Sequence, residues 1–197
     1  MARLFISIIV VLLALAVPAG CGSGWHTPAQ TVDIESPPTL EQARQQLADT
    51  GWARVYSLDI ASQLAGYPVA MFTSMPEGFE MIWFHVFKLG PPVVKSTVEF
   101  PYSVEQRYEN SPSPPLHKLV TMLTQSRNSI EGVGGESEDI DIGGYPGKKN
   151  VVPMGDNPAR LGLSWSDGTR NYVMEGTLAD PLDEAVILRI AASVRVP

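Results

Sequence analysis

The chain has 197 residues, 44% apolar and 18% charged, with 17 glycines, 17 prolines and one cysteine. That length holds one domain plus a tail, and that apolar fraction supports a sizeable core, which excludes wholesale disorder. A formal charge of −7 argues against nucleic-acid binding, which needs a basic surface to displace counterions, and a lone thiol excludes an internal disulfide framework and any four-cysteine zinc site.

Residues 1–21 read MARLFISIIVVLLALAVPAGC. Arg3 precedes an apolar run from Leu4 to Val17, interrupted only by Ser7. As a helix rising ~1.5 Å per residue, this run covers ~21 Å, short of the ~30 Å hydrocarbon core. It therefore predicts an export signal in place of a permanent span. Pro18, Ala19 and Gly20 then set small residues ahead of Cys21. The Ala-Gly-Cys ending resembles the lipobox of bacterial lipoproteins, whose cysteine thiol is joined to diacylglycerol and becomes the first mature residue. Pro18 departs from that pattern, which usually has Leu or Val there. The resemblance implies a signal peptide over 1–20, lipidation at Cys21, palmitate-type acyl chains in the cell membrane, and a body on its extracytoplasmic face. Each buried methylene contributes ~0.8 kcal/mol, so two or more acyl chains hold where one does not. The alternatives are a plain secretory signal with an incidental cysteine, or an uncleaved anchor.

Residues 22–38 are polar and rich in Pro and Gly, which predicts a flexible tether lifting the domain off the bilayer. Trp25 and His26 within it are expected to be incidental or to rest at the membrane interface. A single α+β domain is expected over 39–197. Thr39 and Gln42 form a capping box for a helix with Leu40, Ala43 and Leu47 on one face, stopped by Gly51. A second helix is expected over Leu58–Ala65, ended by Gly66-Tyr67-Pro68. Residues 81–87 predict a strand apolar on both faces, hence central and covered on both sides. Val94 to Tyr102 alternates as a half-buried strand. Residues 108–115 (YENSPSPP) suit a loop, 116–125 a strand, 131–138 a mobile acidic stretch, and Asp139–Ile142 a short strand entering Gly143-Gly144.

Leu161, Leu163 and Trp165 then alternate with Gly162, Ser164 and Ser166 ahead of Asp167-Gly168, which suits a type I′ hairpin turn. A two-residue loop there pairs Trp165 with Arg170 and Leu163 with Tyr172. Asp180-Pro181 predicts an N-cap and first turn for a last helix with Leu182, Val186, Ile190 and Val194 as its stripe. That stripe fits the apolar hairpin face. The expected fold is an antiparallel sheet with helices packed on one face and a C-terminal β-hairpin followed by an amphipathic helix.

Ile60-Ala61-Ser62-Gln63-Leu64-Ala65-Gly66-Tyr67-Pro68-Val69, followed by Met75-Pro76-Glu77-Gly78-Phe79, is similar to the opening of an uncharacterised domain family found in bacterial lipoproteins and in extracytoplasmic parts of anti-sigma regulators. The resemblance continues through Leu123–Ser126, Ile140–Gly147, and Leu163 to Gly176. It covers about Leu58 to Val194, with Met75 where the family has Leu and an insertion around 104–115. It implies a fold and a compartment, with no established enzyme activity or ligand.

Candidate chemistry is sparse. His26, His85 and His117 are scattered, whereas a metal needs converging ligands; His85 is expected to be a semi-buried imidazole with one hydrogen bond. Glu136, Glu138, Asp139 and Asp141 suit the wet side of a strand better than a calcium loop. No serine sits in a Gly-x-Ser-x-Gly elbow. Gly132-Val133-Gly134-Gly135 lacks the Lys-Ser/Thr ending of a phosphate loop. Trp165 and Arg170 are a possible cation–π pair, though closing the core rim suits them better. No catalytic residue, metal site or cofactor is expected. The leading expectation is a non-enzymatic, lipid-anchored domain that binds or senses an envelope protein or small ligand, with no nucleic-acid partner. A lipid or hydrophobic-ligand carrier is the alternative, motivated by seven methionines; an envelope hydrolase comes last.

Overall fold

The computed structural model describes residues 25–26, 36–88, 102–110, 119–126 and 136–197. Cys21, His117, most of the expected strand over 94–102 and the acidic stretch before residue 136 lie outside the described residues. Helix α1 (Leu40–Thr50) starts at its expected capping box: Thr39 Oγ1 accepts from Gln42 N at 3.3 Å and Gln42 Oε1 accepts from Thr39 N at 2.8 Å. It stops at Gly51, which takes φ 78°, a left-handed conformation that costs glycine nothing. After β2 (Trp52–Val55) comes α2 (Leu58–Ala65), ended by Gly66.

The remaining strands are β3 (Met71–Phe72), β4 (Met75–Pro76), β5 (Glu80–Lys88), β6 (Tyr102–Asn110), β7 (Leu119–Ser126), β8 (Glu138–Ile142), β9 (Tyr145–Met154), β10 (Asn157–Ser166) and β11 (Asn171–Thr177). Helix α3 (Glu184–Ala192) and β12 (Val194–Arg195) close the chain. Eight strands form one antiparallel sheet in the order β2-β5-β6-β7-β11-β10-β9-β8. The fold is α+β, as expected. β12 pairs with β3. β1 (Trp25–His26) pairs with β4, so these two residues are laid on the domain and do not belong to a free tether. β6 continues through Tyr108 to Asn110, where a loop was expected.

The C-terminal hairpin keeps its expected face and shifts its register. Trp165 is paired with Tyr172, Leu163 with Met174 and Leu161 with Gly176. The two-residue loop is Gly168-Thr169, closed by Asp167 N donating to Arg170 O at 3.1 Å. A type I′ turn at Asp167-Gly168 needs positive φ at both residues, and of the two only Gly168 has it, at φ 86°. Asp167 uses its carboxylate instead: Oδ1 accepts from Thr169 N, Thr169 Oγ1 and Arg170 N, each at 2.8 Å. A shift of two residues preserves the period-2 faces, so the two aromatic and three aliphatic side chains still share the core side.

Helix α3 begins three residues later than expected. Asp183, not Asp180, is the N-cap, its Oδ1 accepting from Val186 N at 2.7 Å. Its buried stripe is Ile187, Ile190 and Ala191, with Leu182 buried ahead of the helix; Val186 and Val194 are only partly buried. The helix lies on the sheet side that carries the hairpin's apolar face. A Cβ placed on Gly176 would stand 2.9 Å from Ile187 Cδ1, and one on Gly143 would stand 3.3 Å from Ala192 Cβ. Glycine at these points lets the backbones approach closely.

All three helices contribute to one apolar cluster on one side of the sheet. Two glutamines stand in the middle of it. Gln106 and Gln125 are fully buried, and both reach Ala70 in the segment after α2. Ala70 N donates to Gln125 Oε1 at 2.8 Å, while Ala70 O accepts from Gln125 Nε2 at 2.9 Å and Gln106 Nε2 at 2.5 Å. Tyr108 OH donates to Gln106 Oε1 at 2.8 Å and Tyr67 OH to Gln125 O at 3.0 Å. Buried amides placed this way replace the sheet pairing that the irregular Tyr67–Ala70 segment lacks.

Candidate functional site

The opposite face of the sheet concentrates the chemistry that folding does not consume. Strand β5 carries a β-bulge between Met81 and Trp83. Such a bulge breaks the two-residue alternation: Met81, Phe84 and Val86 are buried on the helix side, while Trp83, His85 and Phe87 are only partly buried on the other. The described helices cover the strand on one face. None of Trp83, His85 or Phe87 belongs to the core cluster.

Cross-strand pairing assembles the neighbours. Arg54, His85 and Glu105 form one row across β2, β5 and β6, while Trp52 stands opposite Phe87 and Trp83 opposite Arg107. His85 is ringed edge-on by Trp52 at 4.8 Å, Trp83 at 5.5 Å and Phe87 at 6.4 Å. Trp83 has the Arg54 guanidinium 5.1 Å and the Arg107 guanidinium 5.9 Å from its ring centroid, within cation–π range. Arg107 is also paired with Glu109 at 2.5 Å. Arg54 is exposed and has no ion pair among the described residues. Trp52 is 39% exposed.

Burial, with the Arg54 charge adding to it, holds the His85 imidazole below its ordinary pKa, so the ring is neutral at pH 7. Its Nε2 is buried with no hydrogen-bond partner among the described residues. Burial and the Glu175 carboxylate push the Glu105 carboxyl up, opposed by Arg107. Ser103, diagonal to His85 across β5 and β6, also buries a hydroxyl with no partner among the described residues. The two groups therefore do not bond each other, and the nucleophile–base contact of a hydrolytic pair is not formed.

The other candidates are accounted for locally. Asp139 pairs with Lys148 at 2.5 Å, Glu138 with Lys149 at 3.3 Å, and Asp141 accepts from Gly144 N at 2.9 Å. No group of three metal-ligating side chains occurs among the described residues. Trp165 stacks on Tyr172 at 5.0 Å and 18°, and not on Arg170. Arg170 instead donates to Pro68 O at 3.1 Å and lies 5.9 Å from the Tyr67 ring, so it ties the hairpin to the segment after α2. A cleft of about 290 Å³ at the end of α3, lined by Ile142, Tyr145, Trp165, Tyr172, Val194 and Arg195, includes Asp167. Burial raises the Asp167 carboxyl, but hydrogen bonds from Thr169, Tyr172 and Arg170 outweigh it and hold it below the ordinary value. That carboxylate serves its own turn.

Comparison of the chain with protein families, with characterised proteins and with solved structures finds no match. No helix among the described residues is long and apolar enough to cross a membrane.

Proposed function

We propose that the protein is a lipid-anchored extracytoplasmic lipoprotein that acts as a non-enzymatic binding domain at the cell envelope, with the Trp52–Trp83–His85–Arg54 face as its recognition surface. The anchor rests on the signal-like run ending at Cys21. The order of the Gly-Tyr-Pro-Val and Met-Pro-Glu-Gly-Phe motifs, similar to a family of extracytoplasmic domains, agrees with it. The observation that carries the binding reading is an aromatic and arginine cluster on a sheet face that no described helix covers. Trp and Arg are the side chains that most often dominate protein interfaces, and Arg54, lying over the Trp83 ring, has no ion pair among the described residues. The occupant is an envelope protein segment bringing a carboxylate to Arg54. A carrier instead needs space between sheet and helices, and Ile187 on Gly176 and Ala192 on Gly143 leave none at those two contacts.

Two measurements test this reading. Intact mass of the membrane-extracted protein should correspond to a chain starting at an acylated Cys21, and Cys21→Ala should release the protein from membranes. In-cell cross-linking should give an adduct that Arg54→Glu abolishes while the melting temperature is unchanged. An unmodified thiol refutes the anchor; an adduct indifferent to Arg54→Glu refutes the surface.

A further inference from the structure

The pairing of β1 with β4 has a geometric consequence, which rests on the lipid-anchor reading. Trp25 is paired with Pro76 and His26 with Met75. Only Gly22, Ser23 and Gly24 separate Cys21 from Trp25. At no more than ~3.5 Å per residue, Cys21 lies within ~14 Å of Trp25, and β4 is one strand spacing, ~5 Å, further. Without the ladder, the leash would run to Thr39, eighteen residues on, with a root-mean-square reach of about 23 Å and a maximum near 63 Å. The ladder thus turns a long tether into a short mooring.

The moored point has a fixed place on the body. β4 leads into the Glu77–Gly78 turn, closed by Phe79 N donating to Pro76 O at 3.4 Å. That turn is pinned to the end of β6: Asn110 Nδ2 donates to Glu77 O at 3.5 Å, and a Cβ on Gly78 would stand 2.9 Å from Asn110 Nδ2. The opposite end of β5 is Lys88, held by its N–H to Gly51 O at 2.8 Å. Glu80 and Lys88 are eight residues apart on one strand, ~27 Å at ~3.4 Å per residue. We infer that the Glu77–Gly78 turn is the membrane-facing pole of the anchored domain and the Lys88–Gly51 end its distal pole. Glu77 and Glu80 are both exposed, so this pole suits a zwitterionic lipid surface; anionic headgroups repel it.

The test uses the full lipidated chain in phosphatidylcholine vesicles. Lipid occupies Cys21, so Glu77→Cys or Lys88→Cys, both at exposed positions, supplies the only reactive thiol for a donor dye. Vesicle flotation reports the anchor, and energy transfer to headgroup acceptors reports distance. Flotation with transfer from position 77 roughly twofold or more above that from position 88, as a ~27 Å separation along the strand implies, supports the inference. Ten Gly/Ser residues inserted after Gly24 should lower transfer at 77 toward that at 88. Flotation with equal transfer at the two positions, or more at 88, overturns the orientation and leaves the anchor standing. Failure to float overturns both.

Discussion

Replacing Gln125 by Leu keeps volume and removes the clamp on Ala70. Ala70 is fully buried. Its carbonyl keeps a second donor, Gln106 Nε2, but its N–H has Gln125 Oε1 as partner and is left unpaired. A buried unpaired donor costs about 1–3 kcal/mol, against about 0.5–1.5 kcal/mol for an ordinary net hydrogen bond. Gln106→Leu leaves both polar groups of Ala70 bonded to Gln125 and deprives only Tyr108 OH of its oxygen acceptor, with Met71 Sδ at 3.7 Å remaining. Gln125→Leu should therefore destabilise by about 2 kcal/mol and Gln106→Leu by about 1 kcal/mol or less. With a urea slope of about 1–3 kcal/mol per molar, the first shifts the midpoint by roughly 1 M. Equilibrium urea melts followed by tryptophan fluorescence measure both. Equal midpoints for Gln125→Leu and wild type, or a larger loss for Gln106→Leu, would refute the reasoning that Ala70 N–H is the costly atom.

Gly176→Ala should cost about 1–2 kcal/mol through crowding of Ile187; in an Ile187→Val background, which deletes the nearest atom, the measured cost in melts should fall by at least half. Trp165→Ala should cost about 3–5 kcal/mol, since the ring is 7% exposed and stacked on Tyr172; a loss under about 1 kcal/mol would place the ring outside the core. Asp167 has a lowered folded pKa, so its stabilisation is complete above its unfolded value near 4 and disappears as pH falls through the lower folded value. Asp167→Asn should therefore flatten the pH dependence of the midpoint below about pH 4, and a profile matching wild type would show that the turn does not depend on the charge.

What the sequence reveals here is mostly local. The capping box at Thr39, the stop at Gly51 and the ends of α2 are decided within one turn of chain, and the structure has them as expected. Where two local signals compete, the spacing is ambiguous. Asp180 and Asp183 both suit an N-cap, and the hydrogen bond to Val186 N decides for the second. β9 goes unread because Pro146, Gly147 and Pro153 dilute its strand signal. The bulge in β5 is a property of its pairing with β6, so Met81 reads as a partner of Trp83 although it lies with Phe84. Glutamines in a strand read as solvent-facing; their acceptor and donor on Ala70 are 55 residues away from Gln125. Of the candidate site, Trp83, His85 and Phe87 are visible as an apolar strand, but Arg54 and Trp52 arrive from β2 and Arg107 from β6, and such adjacency has no sequence spacing to betray it.

The two sheet faces divide the work of the molecule. On the helix side Gln106, Gln125, Tyr108 and Tyr67 bond to one another or to backbone, while the Thr121 hydroxyl, opposite Tyr108, is buried with no partner among the described residues. On the other face, a histidine nitrogen and the Ser103 hydroxyl are buried with no partner among the described residues, beside an exposed arginine with no ion pair among them. An unpaired buried polar atom costs stability on either face, and Trp52, 39% exposed, forgoes part of its burial. On the proposed mooring near the Glu77 turn, the Arg54–His85–Glu105 row, partway between Glu80 and Lys88, would lie on the flank of the domain, within reach of a partner on the same membrane.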